Sequence, residues 1–166
     1  MPGDLLRRPL IVLAACGCLA AWSSNTHAAP PRLAVITAPQ APRLTLDRAT
    51  LRNIFLKKIF VDADGQRLIP VNLPPASPLR EAFFRELTHM PDVQMQDYWN
   101  RQYFQGVSPP YVLASQQAVV RFVATTPGAI GYVASCHADA SVQVVLTLSL
   151  PASAAVAADC DGSAGH

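Results

Sequence analysis

Ser77 and Arg80 are the residues of this 166-residue chain whose types and spacing best suit a ligand. They stand in VNLPPASPLREAFFREL, residues 71–87, where an apolar run passes through a loop into a helix opened by Ser-Pro. A helix N-terminus presents unpaired backbone amides and a partial positive charge, so an anion is the ligand such a place holds. On that reading Ser77 offers a hydroxyl, and Arg80, one turn in, a guanidinium that reaches back. The plainer alternative keeps Ser77 as the helix N-cap, Pro78 at the first helical position and Arg80 as a solvated surface side chain.

Catalytic and metal chemistry have less to work with. A nucleophile needs a base and an orienting group within hydrogen-bond reach. Of the four histidines, His27 lies near the N-terminus, His137 follows Cys136, His166 is the last residue, and His89 ends the helix that Ser77 opens. Ser77 and His89 thus belong to opposite ends of one helix, and a binding protein is expected rather than an enzyme. Asp62, Asp64 and Gly65 match part of a calcium loop. With the two carboxylates at its third and fifth positions, however, the first position falls on Phe60 and the bidentate twelfth on Val71. Cys136 and His137 are adjacent rather than spaced as zinc ligands, and His89 and His166 lie in unrelated settings. Neither a metal nor a cofactor is expected.

The N-terminal segment has the layout of an export signal. Arg7 and Arg8 form a basic start, residues 10–22 an apolar stretch, and Thr26-His27-Ala28 a small-residue cleavage site, so residues 1–28 read as a signal peptide. The sequence LAAC, residues 13–16, also fits a lipobox, which would make Cys16 a lipidated terminus and the protein a membrane-anchored lipoprotein. The apolar stretch runs on past Cys16, which favours a periplasmic protein. Export implies an oxidising compartment, where Cys136 and Cys160 are expected to pair as a disulfide. Without residues 1–28 the chain keeps 138 residues, with 11 basic and 10 acidic side chains. That near balance does not suggest nucleic acid or an acidic membrane surface as partner. With 51% hydrophobic and 14% charged residues overall, one compact domain is expected.

The elements that would position these groups can be read in order. RLAVITAP, residues 32–39, is a strand. A helix over residues 47–58 carries Leu51, Ile54, Phe55 and Lys58 at helical spacing, with Asp47 or Thr45 as its cap. Residues 59–71 form two short extended runs joined at Asp64-Gly65, a hairpin dipeptide. The Ser77 helix buries Leu79, Ala82, Phe83 and Leu87, and residues 90–92 separate it from a further helix. There Met95, Trp99 and Tyr103 recur every four residues, a pattern read as core packing, with Gly106 closing the helix. Ser115 caps a last helix with Val119, Phe122 and Val123 on its apolar face. Pro127-Gly128 turns into a strand over 130–133, and residues 142–150 form another, rich in β-branched residues. This order predicts an α/β domain with one mixed sheet flanked by helices, over residues 29–150. Residues 151–166 are left as a poorly ordered tail tethered at Cys160.

Three of these pieces, in the same order, resemble the phosphate-binding components of ABC importers, the type II periplasmic binding proteins. LRNIFLKKIF is similar to the family's L-x-x-I-F-L-G-K-I, IPVNLPPASPLREAF to its strand, loop and helix, and VVRFVATTPGAIGYV to V-x-x-T-P-G-A-I-G-Y-V. The resemblance spans roughly residues 33–134. It implies one lobe of a two-lobed receptor that closes on its ligand around a hinge, with a small anion as ligand and an ABC transporter permease or other envelope protein as partner. The chain has room for one lobe, so closure would need a partner lobe from another chain, a homodimer included. Phosphate-gripping members carry R-x-D-G-S-G-T in the loop. Aligned on the serine, this chain has Leu73 for the Arg, Pro75 for the Asp, Ala76 and Pro78 for the glycines and Leu79 for the Thr. Only Ser77 remains, and loss of the phosphate grip is expected. A structural or protein-interaction domain of an envelope complex, with no small ligand, is the alternative.

Overall fold

The computed structural model describes residues 32–39 and 46–150. The signal and lipidation readings, including Cys16, the Thr45 cap and the tail with Cys160 lie outside the described residues. Within them the order is β1 (Arg32–Thr37), α1 (Arg48–Phe55), β2 (Ile69–Asn72), α2 (Pro78–Thr88), α3 (Asp92–Phe104), β3 (Tyr111–Val112), α4 (Gln116–Thr125), β4 (Ala129–Ala134), a 3-10 turn (Ser135–His137) and β5 (Gln143–Ser149). The expected mixed α/β domain is present. One five-stranded sheet has the order β3-β2-β4-β1-β5. β2 runs parallel to both β3 and β4, while β1 lies antiparallel between β4 and β5.

Strand β4 is buried along its whole length and alternates its side chains between two helical layers. On one face Tyr132 stacks on Phe83 of α2 at 3.9 Å, and Phe83 meets Phe55 of α1 edge-on at 4.8 Å. On the other face Gly131 lets α4 approach, since a Cβ there would lie 2.5 Å from Val119 Cγ1. Gly128, three residues earlier, has φ +76°, and a Cβ on it would sit 2.0 Å from the Arg67 carbonyl oxygen. Both glycines of the Pro-Gly-Ala-Ile-Gly-Tyr-Val run therefore serve close backbone packing.

The caps follow local chemistry. Asp47 accepts from the Thr50 N–H at 2.6 Å, which also holds its carboxyl below the usual range, and Ser115 accepts from Ala118 at 3.1 Å. Helix α1 stops at Phe55, short of the expected Lys58. Lys58 N–H bonds the Asn53 carbonyl at 2.8 Å and Lys57 N–H bonds that of Ile54 at 3.0 Å, a Schellman closure. Lys57 occupies its left-handed position with φ 56°, where the family pattern carries glycine. The hairpin expected at Asp64-Gly65 is present: Val61 bridges Arg67, and Gly65 takes φ 79°. Asp62 Oδ1 accepts there from the amides of Asp64 and Gln66 at 2.9 and 2.8 Å, so its carboxylate serves the turn. Among the described residues no metal-ligating cluster is present, and no helix is long and apolar enough to cross a membrane.

Two expectations need correction. The stripe of α3 is not core: Met95 and Trp99 are half-buried, while Tyr103 is 71% exposed and the adjacent Phe104 89%. Helical spacing identifies a common face, and among the described residues nothing covers the end of it. The two-residue strand β3 was not expected, because Pro109-Pro110 precedes it and two residues set no period.

Candidate functional site

The three mutually parallel strands β2, β3 and β4 all end at one edge of the sheet. From β2 the chain leaves through α2 and α3 to β3 on one side, and from β3 it crosses through α4 to β4 on the other. Adjacent strands whose connections diverge open a crevice at their C-terminal ends, and ligand sites of α/β proteins gather there. The loop over residues 73–77 sits at that place. Cys136 is exposed in the 3-10 turn that follows β4, at the same edge.

The loop is held from three sides. The Tyr132 hydroxyl donates to Asn72 Oδ1 at 2.8 Å and accepts from the Leu73 N–H at 3.5 Å, joining the end of β2 to β4. Asn72 is 2% exposed, so the phenol satisfies an amide that water cannot reach. Burial pushes the Tyr132 pKa well above that of a free phenol, which keeps the hydroxyl a donor; the Leu73 N–H and the nearby Arg80 charge oppose this more weakly. From the helix side, Arg80 Nη1 donates to the Leu73 carbonyl at 2.8 Å, and its guanidinium lies 5.9 Å from the Phe84 ring centroid. From within, the Ser77 N–H bonds the Pro74 carbonyl at 2.9 Å.

Ser77 and Arg80, the pair singled out from sequence, are thus brought to one loop. Ser77 Oγ accepts from the Arg80 N–H at 3.4 Å, the N-cap geometry, and the Arg80 head brackets the loop backbone. Arg80 is half-buried, not the solvated side chain of the plainer reading. Of the amides over residues 77–80, those of Ser77 and Arg80 bond within the loop, Pro78 has none, and that of Leu79 belongs to a fully buried residue. Leu73 is 2% exposed and turned into the core. His89 is exposed at the far end of α2, where it closes the helix with φ 55° and its N–H on the Arg85 carbonyl.

Tyr132 and Asn72 went unnoticed as a pair because 60 residues separate them. A signal was present, since a tyrosine in a strand buried on both faces needs a partner for its hydroxyl.

No protein-family model and no curated protein matches the sequence. Solved structures do share the fold. A phosphate ABC transporter substrate-binding protein with bound phosphate from Clostridium perfringens superposes with a TM-score of 0.58 at 18% identity, over 69% of this chain and 44% of its own. An ABC-type phosphate transport receptor from Vibrio cholerae gives 0.57 at 19% identity, over 69% and 45%. PstS from Borrelia burgdorferi gives 0.56 at 16%, over 69% and 46%. The chain spans less than half the length of each of these structures, and at these identities the likeness is one of fold: a mixed α/β lobe of the kind found in phosphate-binding proteins of ABC importers.

Proposed function

We propose that this chain is an exported, non-catalytic binding module built on one lobe of the phosphate-receptor fold, whose β2–α2 loop no longer grips phosphate. The observation that carries the reading is the bracketing of that loop by its own side chains. The guanidinium nearest the helix N-terminus is spent on the Leu73 carbonyl, Ser77 Oγ on a backbone amide, and Pro78 supplies no donor. Each missing charge-assisted hydrogen bond forgoes about 1.5–3 kcal/mol. Any small anion taken up at this edge binds weakly, through whatever Arg80 gives up. Isothermal titration with phosphate and sulfate tests this: no saturable heat below about 1 mM anion is expected. Micromolar phosphate binding would overturn it.

The same reading includes a signal peptide over residues 1–28, with lipidation at Cys16 as the alternative anchor, and a disulfide between Cys136 and Cys160. What supports the disulfide is that Cys136 is not a free thiol. Intact-mass analysis of the exported protein tests both, through the position of its N-terminus and the two-hydrogen mass deficit of a bridge. The candidate transport partner is an ABC transporter permease.

A second reading, an interaction domain of an envelope complex with no small ligand, is favoured by the exposed Tyr103, Phe104 and Tyr111.

A further inference from the structure

Helix α3 is thirteen residues long, and none of residues 93–104 is buried. It is attached along one side only, where Met95, Tyr98, Trp99 and Gln102 are half-buried and the Tyr98 hydroxyl donates to the Leu56 carbonyl at 2.6 Å. Helices of this length are marginal in water unless a face is packed, so a helix this thinly held points to further cover. The opposite side is a seam. Val93, Asp97, Asn100 and Phe104 follow one another at spacings of four, three and four, the repeat that keeps residues facing a second helix. Val93 is 70% and Phe104 89% exposed, and Asp97, Asn100 and the neighbouring Arg101 are exposed as well.

We propose that this seam is where a second copy of the chain docks, α3 against α3 in antiparallel orientation about a two-fold axis. The sequence of the seam is self-complementary in that orientation alone. Val93 meets Phe104 of the second copy at both ends, and Asp97 meets Asn100 and Arg101 of the second copy in the middle. A parallel pairing would set Asp97 on Asp97 and Arg101 on Arg101, which like charges disfavour. Among the described residues neither Asp97 nor Arg101 is engaged in an ion pair, so both charges are available to the second copy. The contact is isologous, as closed dimers require. The inference does not rest on the reading of the β2–α2 loop, and a negative phosphate titration leaves it untouched.

Sedimentation equilibrium of the mature protein from about 10 μM to about 1 mM tests it. A monomer–dimer equilibrium is expected, weakened about tenfold or more by Phe104→Glu and by Asp97→Arg. Adding Arg101→Asp to Asp97→Arg restores the complementary pair, and dimerisation returns to within a few-fold of the parent. These positions are exposed, and circular dichroism checks each fold; Phe104→Ser replaces Phe104→Glu should the latter not fold. A protein monomeric over the whole range overturns the proposal and gives the face to a different chain. So does a dimer indifferent to Phe104→Glu, or a double variant no tighter than Asp97→Arg alone.

Discussion

The Tyr132 hydroxyl joins two strands and the start of a loop through a single oxygen. Replacing it in Tyr132→Phe leaves the Asn72 carboxamide buried without its donor, which costs about 1–3 kcal/mol. Urea denaturation reads the loss as a lower midpoint, and adding Asn72→Leu should recover part of it, since both partners are then apolar. The hydroxyl also gives stability a pH dependence. Unfolded tyrosine titrates near pH 10, whereas burial keeps Tyr132 protonated well beyond that in the folded chain. Below about pH 10 both states hold the proton and the contribution is complete; above it only the folded state does, so stability falls as pH rises. Burial raises the Tyr98 pKa in the same sense. The alkaline limb of a stability profile should therefore be shallower in Tyr132→Phe than in the parent. At Lys57, a non-glycine residue in left-handed backbone carries strain of about 1 kcal/mol. Lys57→Gly should accordingly raise the melting temperature by a few degrees.

Among the elements, the packing of α4 against β4 supplies a graded test. Gly131→Ala drives a methyl to 2.5 Å from a valine methyl, which a side-chain shift can partly absorb, at about 1–3 kcal/mol. Gly128→Ala meets a backbone carbonyl at 2.0 Å with φ +76° besides, and should be the more damaging of the two by thermal melts. How much was legible in the sequence divides along the same line between local and distant contacts. The starts of α1, α2 and α4 were readable because Asp47, Ser77 and Ser115 each act on an amide three residues away. The end of α1 was not, because a lysine stands where the closure favours glycine. The exposure of α3 was unreadable for a different reason, since an apolar stripe reports a shared face and not whether anything lies against it. At the candidate site Ser77 and Arg80 were found. Their contacts were not: a guanidinium folded onto Leu73 and one solvated by water have the same sequence.

On the scale of the whole molecule, the proposed Cys136–Cys160 bridge closes a loop containing β5. Reducing it should lower stability by about 3.5 kcal/mol by the loop-entropy relation, and Cys160→Ser should match the reduced parent in a chemical denaturation series. The sheet also constrains when folding can finish. β1 contributes Leu33, Ala34, Val35 and Ile36 to the core, none more than 1% exposed, and its two neighbours are β4 and β5, about a hundred residues further along the chain. Pairings so remote in sequence are slow to form, because the intervening chain must be closed before they give anything back. A chain emerging N-terminus first therefore holds the apolar β1 unpaired until β4 and β5 have followed it. For the export proposed above, passage through a membrane in the unfolded state asks for that delay, and the strand order supplies it.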